Sequence, residues 1–140
     1  MDDRRDELEQ MIEMINQYRE QSNQLYAQLN LVNASINEHV IARETIKSYR
    51  DAEDDSEALI PIGGNTYIKA SVSADKRVIL GIGARYMVEK SIDDCVEALN
   101  SRMSSMETGR DKITENINII EGRIKDLTDR AETIARSLEG

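Results

Sequence analysis

Apolar residues recur three and four positions apart along two long segments of the chain, and this spacing predicts two long helices. The first segment runs from about Asp3 to Arg50, and nine of its thirteen seam positions are apolar. The second runs from Ser91 to about Leu138, and thirteen of its fourteen seam positions are apolar. A sustained spacing of this kind is the heptad pattern of a left-handed coiled coil. The sequence therefore predicts coiled-coil helices at residues 1–50 and 91–140.

The positions that form each seam define which side chains should be buried between the helices. The first seam consists of Leu8, Met11, Ile15, Tyr18, Ser22, Leu25, Leu29, Val32, Ile36, His39, Arg43, Ile46 and Arg50. The second seam consists of Ile92, Val96, Leu99, Met103, Met106, Arg110, Ile113, Ile117, Ile120, Ile124, Leu127, Ala131, Ile134 and Leu138. The heptad pattern does not explain Arg43 and Arg110; one hypothesis is that they keep the coiled coil flexible.

The stretch between the helices, residues 57–90, contains the only proline and four of the seven glycines, and it has the composition of β-strands. The predicted strands are residues 58–62, 66–72, 78–82 and 85–90. Gly63, Gly64 and Asn65 tolerate positive φ and therefore predict the turn of a first hairpin. Gly83 and Ala84 predict the turn of a second. Residues 51–57, which carry four Asp and Glu before Ser56, are interpreted as a solvated linker rather than a metal site, because they lack the glycine of a calcium loop.

The short insert requires the two helices to run antiparallel, and one simple register then matches their seams. In this register the numbers of paired residues sum to 142, so that Ile15 lies opposite Leu127 and Ile46 lies opposite Val96. The predicted fold class is α+β: a long antiparallel two-helix coiled coil with two β-hairpins inserted between the helices. The whole chain is expected to form one domain.

Charge and composition exclude several classes of function. The net charge of −9 opposes binding to nucleic acid and to anionic membranes. No apolar run is long enough to span a bilayer, the N-terminus lacks a signal peptide, and the single Cys95 indicates a cytoplasmic protein. His39 lies on the seam and Cys95 lies beside it without an evident base, so we expect no catalytic residue, no metal and no cofactor.

The predicted strands carry more apolar side chains than the rest of the chain is expected to cover. Unpaired strand edges and apolar faces of this size call for other subunits. We therefore predict that the hairpins are an oligomerisation module that closes into a β-barrel. The predicted assembly residues are Leu59, Ile60, Ile62, Tyr67, Ile68, Val72, Val78, Ile79, Leu80, Ile82, Tyr86 and Val88.

The free ends of the two helices form a second candidate surface, because apolar residues lie there off the seam as well as on it. Methionine is flexible and polarizable, and methionine-rich surfaces adapt to varied partners. An alternative is that these residues are only the last layers of the coiled coil. The candidate tip residues are Leu8, Met11, Ile12, Met14, Ile15, Leu127, Ala131, Ile134 and Leu138.

The segments ALIPIGGNTYIKASV and VILGIGARYMVEKSIDD, with a heptad helix on either side, resemble the alpha class of the prefoldin family. The resemblance implies an archaeal or eukaryotic cytosolic co-chaperone that works without ATP. It implies a hexamer of two alpha-class and four beta-class subunits whose hairpins form a double β-barrel base. It also implies that the tip residues hold non-native proteins and deliver them to a group II chaperonin. The alternative function is a structural coiled-coil adaptor or tether that binds one folded partner.

Overall fold

A computed structural model describes residues 2–140, with side chains from Asp3 onward. In chain order, two antiparallel hairpins lie between two long helices, and this confirms the predicted α+β architecture. The elements are α1 (Asp2–Asp51), β1 (Glu57–Gly63), β2 (Thr66–Ser71), β3 (Val78–Gly83), β4 (Tyr86–Lys90) and α2 (Ile92–Glu139). Within the described residues, neither helix has an apolar stretch that could cross a membrane.

Both helix ends that face the hairpins are capped by side chains. Ser91 is the N-cap of α2, since its hydroxyl accepts a hydrogen bond from the backbone N–H of Asp94 at 3.2 Å. The ammonium of Lys76 donates to the carbonyl of Ala52, just past the end of α1, at 2.6 Å, and it pairs with Asp54 at 3.5 Å. A cation at this position stabilises the negative end of the helix dipole. The connector between the hairpins is thereby fixed to the end of α1.

The two hairpins share one backbone geometry. Each contains a register shift shortly before its turn, between Pro61 and Gly63 in the first hairpin and between Gly81 and Gly83 in the second. The φ angles of the two shifted glycines are 103° and 106°. The second turn is formed by Ala84 and by Arg85, whose φ of 66° takes it out of the ladder. The prediction that β4 begins at residue 85 is therefore wrong by one position.

The predicted seams agree with the burial of the two helices. In α1 every predicted seam residue is buried or half-buried except Arg50, which is exposed. In α2 every predicted seam residue is buried or half-buried, Arg110 included. Burial of such a stripe, repeated along both helices, is what stabilises long helices whose other faces are charged.

One compact unit consists of α1 up to Ser35 and α2 from Met106. Its core is a buried cluster of Met11, Ile15 and Leu127, against which half-buried apolar side chains pack. Polar contacts between the helices agree with the predicted register: Arg4 donates to the hydroxyl of Ser137 at 2.9 Å. The guanidinium of Arg123 lies 5.8 Å from the centre of the Tyr18 ring. A cation over an aromatic face contributes about 0.5–1 kcal/mol at an exposed site.

The second unit, Ile36–Ser105, contains the hairpins and the adjoining helix segments. Its core consists of the buried side chains of Ile46, Leu80, Ile92, Cys95 and Leu99. Cys95 is only 1% exposed and is a free thiol, as expected for a small packed residue.

The predicted seam residue Arg43 lies in this second unit and crosses between its helices. Its guanidinium donates to the side-chain carbonyl of Asn100 at 2.9 Å, while its buried Nε has no hydrogen-bond partner. The arginine therefore joins α1 to α2, although it leaves one buried donor unsatisfied.

Candidate functional site

The candidate tip residues divide into a buried core and an exposed margin. Met11, Ile15 and Leu127 are buried, and the half-buried members are Leu8, Ala131, Ile134 and Leu138. Ile12 and Met14 are 48% and 43% exposed. The structure therefore assigns the free apolar surface at this end of α1 to these two side chains. The heptad pattern explains the division, because positions 12 and 14 lie off the seam.

Two grooves lie beside the buried tip cluster, and each contains one of the exposed side chains. The first groove has a volume of about 340 Å³ and is lined by Leu8, Ile12, Ile15, Asn16, Arg19, Thr128, Ala131, Glu132 and Ala135. The second has a volume of about 210 Å³ and is lined by Met14, Tyr18, Arg123, Asp126, Leu127 and Arg130. Both have apolar side chains beside charged ones. Such a groove can bind an apolar side chain of another protein, while the backbone of that protein lies near the charged groups of the groove.

A third groove, of about 410 Å³, lies further along the same unit, and the sequence reasoning missed it. Its lining is Gln21, Gln24, Leu25, Gln28, Asn116, Ile119, Ile120 and Arg123. Ile119 is an exposed apolar residue off the seam. The signal that could have found it is the pair Ile119 and Ile120, in which only the second residue fits the heptad spacing.

An electrostatic contact links the two helices of this unit. The hydroxyl of Tyr26 donates a hydrogen bond to the carboxylate of Glu121 at 2.5 Å. This bond, more than the local burial or the carboxylate charge, raises the pKa of Tyr26 above its ordinary value of 10.0. The contact holds a half-exposed aromatic ring in place across the two helices.

The hairpins expose most of the predicted assembly residues. The exposed members are Leu59, Ile60, Ile62, Tyr67, Ile68, Ile79, Ile82 and Tyr86, while Val78 and Val88 are half-buried. The expectation that nothing in the chain covers these side chains is wrong for Val72 and Leu80, which are buried. Leu80 is buried because it packs into the core formed by both helices. Met87 is 73% exposed on β4 and was not predicted.

Packing and a hydrogen bond attach the second hairpin to the helices, whereas the side chains of the first hairpin are mostly exposed. Besides Leu80, the carbonyl of Gly81 accepts a hydrogen bond from Arg102 of α2 at 2.6 Å. In β1 and β2 only Ala58 and Ala70 are even half-buried. Most side chains of the first hairpin are therefore exposed.

No cluster of three His, Cys, Asp or Glu side chains that could hold a metal ion occurs within residues 2–140. His39 is half-buried, and Cys95 lies in the core of the second unit.

A family model and the curated relatives of this chain all identify the same family. A family model described as prefoldin subunit matches residues 18–137. Prefoldin subunit alpha of Methanopyrus kandleri is 33% identical over 104 residues, which cover 74% of this chain and 66% of that protein. Prefoldin subunit alpha of Methanobrevibacter smithii is 29% identical over 131 residues, which cover 94% of this chain and 89% of that protein.

Solved structures show the same fold. A chain of a filamentous PFD from Methanocaldococcus jannaschii, determined by cryo-EM, aligns with a TM-score of 0.73 at 19% identity, covering 84% of this chain and 98% of that one. The crystal structure of the prefoldin beta subunit from Thermococcus strain KS-1 aligns with a TM-score of 0.62 at 15% identity, covering 91% of this chain and 90% of that one.

Proposed function

Because the chain belongs to the prefoldin family, a family of chaperones rather than enzymes, we propose that it is an alpha-class subunit of an ATP-independent holdase. In this role it captures non-native proteins in the cytoplasm at the ends of its helices and delivers them to a group II chaperonin. Through its hairpins it assembles with a second alpha-class subunit and four beta-class subunits, and the hairpins contribute to a β-barrel base.

One observation carries the capture step: the grooves beside the buried cluster of Met11, Ile15 and Leu127 leave Ile12 and Met14 exposed. Non-native chains expose apolar side chains that folded chains bury. Shallow grooves with flexible apolar margins suit ligands of varied sequence better than one rigid partner, because methionine adapts to different shapes.

A second observation supports the assembly step. The hairpins expose eight of the twelve predicted assembly residues, and isolated two-stranded hairpins are marginally stable in water. Covering these faces with hairpins of other subunits removes apolar surface from water at about 25 cal/mol per Å². The beta-class subunit with the same fold is a suitable partner for this contact.

The experiment that tests capture uses the assembled complex of this chain with a beta-class prefoldin subunit. An unfolded protein is diluted from denaturant, and its aggregation is followed by light scattering. We expect the double variant Ile12→Ser with Met14→Ser to lose most of the suppression that the wild-type complex gives. Both side chains are exposed, so the complex should still assemble with little change in stability.

A matched control is Leu31→Ser, because Leu31 is 72% exposed on the same helix and lines none of the three grooves. The control complex should suppress aggregation like the wild type. Equal suppression by all three complexes would show that non-native proteins do not bind in the grooves. If no complex suppresses aggregation, the alternative of an adaptor for one folded partner gains support. Transfer of a bound client to a group II chaperonin, followed as regained activity of the client, tests the delivery step.

A further inference from the structure

Two of the three grooves in the first compact unit are adjacent, because Arg123 lines both of them. They are the groove of about 410 Å³, here called the inner groove, and the groove of about 210 Å³ at the tip. Their α1 residues, from Met14 to Gln28, recur three or four positions apart, which places them on one helix face. A ligand bound at the tip can therefore continue past Arg123 into the inner groove.

The inner groove has amide side chains from both helices in its lining. The four exposed amide residues are Gln21, Gln24, Gln28 and Asn116. None of them has a hydrogen-bond partner among the residues that the structure describes. Each amide group offers two N–H donors and one carbonyl acceptor. The donors and acceptors of this groove are therefore available to a ligand.

The spacing of Gln24 and Gln28 matches the repeat of an extended peptide. An α-helix rises 1.5 Å per residue, so a separation of four positions places the two residues about 6 Å apart along α1. In an extended chain every second residue directs its N–H and C=O to the same side, with a repeat of about 6.6–6.8 Å. The rotatable bonds of glutamine accommodate this small difference. Each amide can then donate to a backbone carbonyl and accept from a backbone N–H of one peptide.

The rest of the lining suits a peptide backbone that carries apolar side chains. Leu25 and Ile120 are half-buried, and Ile119 is exposed. Arg123 lines the inner groove and no carboxylate does, although the chain contains 27 acidic residues. A guanidinium donates hydrogen bonds to peptide carbonyls, whereas a carboxylate can only accept and would repel them.

A helical or folded partner would fit this lining poorly. The backbone groups within a helix already bond to one another, so they leave the amides of the groove without partners. Covering exposed amides with an apolar helix face removes their hydrogen bonds to water without replacing them, which costs free energy. An extended segment replaces those bonds with its own backbone groups.

We propose that the inner groove binds an extended segment of a non-native protein and recognises its backbone through Gln24 and Gln28. The proposal rests on the capture role given to the chain above, adds a site outside the candidate tip residues, and names the conformation of the bound segment. Backbone groups are common to all proteins, so the site accepts segments of varied sequence. It excludes folded proteins, whose backbone groups are already paired. From Met14 to Gln28 α1 rises about 21 Å, which an extended segment of roughly six residues spans.

Replacing the two glutamines by leucine separates backbone recognition from apolar contact. The assembled complex with a beta-class prefoldin subunit is irradiated with a six-residue peptide of alternating threonine and photoreactive leucine. Mass spectrometry then maps the cross-links, so that labelling of this chain is distinguished from labelling of its partner. Gln24→Leu with Gln28→Leu makes the groove more apolar but removes its amides. We expect about tenfold weaker labelling of the inner groove at a given peptide concentration, because two backbone contacts are lost. Unchanged or stronger labelling would overturn the proposal and indicate an apolar occupant.

A matched control is Gln17→Leu, because Gln17 is exposed on the same helix and lines none of the three grooves. Labelling of this variant should equal that of the wild type. Retained helical circular dichroism in both variants shows that a loss of labelling does not come from unfolding.

Methylation of the peptide backbone gives a second readout. One peptide is methylated on the nitrogens of its threonines and another on those of its leucines, so the lost N–H groups point to opposite sides. The peptide whose methyl groups face α1 should label the inner groove at least tenfold less than the unmethylated peptide. Equal labelling by all three peptides would refute recognition of the backbone.

Aggregation of an unfolded protein, followed with the same complexes, distinguishes failure of this site from failure of the capture role. If the wild-type complex suppresses aggregation but the peptide does not label the inner groove, the site is wrong and capture stands. If the wild-type complex does not suppress aggregation, both are refuted. We expect suppression by the wild type, and weaker suppression by Gln24→Leu with Gln28→Leu.

Discussion

The guanidinium of Arg102 donates a hydrogen bond to the carbonyl of Gly81 and thereby joins α2 to the second hairpin. Arg102→Ala removes this contact but leaves Leu80 in the core, so the hairpin should stay in place and open more often. We expect the free energy of unfolding to fall by about 1 kcal/mol. Hydrogen exchange of the amides in β3 and β4 should accelerate more than exchange in β1 and β2.

The control for this change is Lys125→Ala, which removes an exposed cation from the same helix. Exchange in the second hairpin should not respond to it. Equal acceleration in both hairpins of Arg102→Ala would mean that the contact with Gly81 does not hold the second hairpin selectively.

The pKa of Tyr26 should lie above the ordinary tyrosine value of 10.0, because Glu121 accepts its hydrogen bond. The folded state holds this proton more tightly than the unfolded state. The resulting stabilisation is therefore complete below the ordinary pKa of 10.0 and is lost as the pH rises through the pKa of the folded state. Ultraviolet difference spectra between the wild type and Tyr26→Phe isolate this titration. In Glu121→Ala the titration should move down toward the ordinary value, and an unchanged midpoint would contradict the assigned cause.

Replacing glycine by alanine should change the stability of the chain in opposite directions in a turn and in helix α2. Gly83 has a φ of 106°, where a side chain is strained, so Gly83→Ala should destabilise the chain by about 1–2 kcal/mol. Gly109 lies within α2, and a Cβ added there meets no atom within 4 Å. Gly109→Ala should stabilise by about 0.5–1 kcal/mol, because alanine favours the helix. Urea unfolding at a fixed chain concentration checks both signs.

Leu99 connects the second hairpin to the helices through the core that it shares with Leu80 and Cys95. Leu99→Ala leaves a cavity in this core and should cost about 2–5 kcal/mol. The same substitution at the exposed Leu31 should change the free energy of unfolding by no more than about 0.5 kcal/mol. Reaction of Cys95 with a thiol reagent provides a local measurement, since this buried thiol should react faster in Leu99→Ala than in Leu31→Ala.

The sequence predicted the helices and seams well because heptad spacing depends only on neighbouring turns. Ile15 and Leu127, predicted partners, lie in the same buried cluster. The turns were also readable, since Gly63 and Gly83 carry the positive φ that few other residues adopt. Heptad spacing and turn conformation depend on local interactions, which the residue types determine directly.

Contacts that depend on the placement of the hairpins were not predictable. The two hairpins have the same alternation, so nothing in the sequence distinguishes the buried Leu80 from the exposed Ile60 at the equivalent position. Arg102 and Lys76 resemble other surface cations, and only their positions show that they bind backbone carbonyls. The heptad pattern did not explain Arg43, whereas its bond to Asn100 gives it a role across the helices.

The exposure of the first hairpin affects how readily proteases degrade the chain in the cell. A newly made copy without partners carries an accessible segment that proteases can cut, because its strands are held by little besides each other. Trypsin should therefore cleave the lone chain after Lys69, and assembly should abolish that cleavage. Surplus copies would be degraded while assembled ones persist, which would keep the amounts of the different subunits in balance without a dedicated regulator.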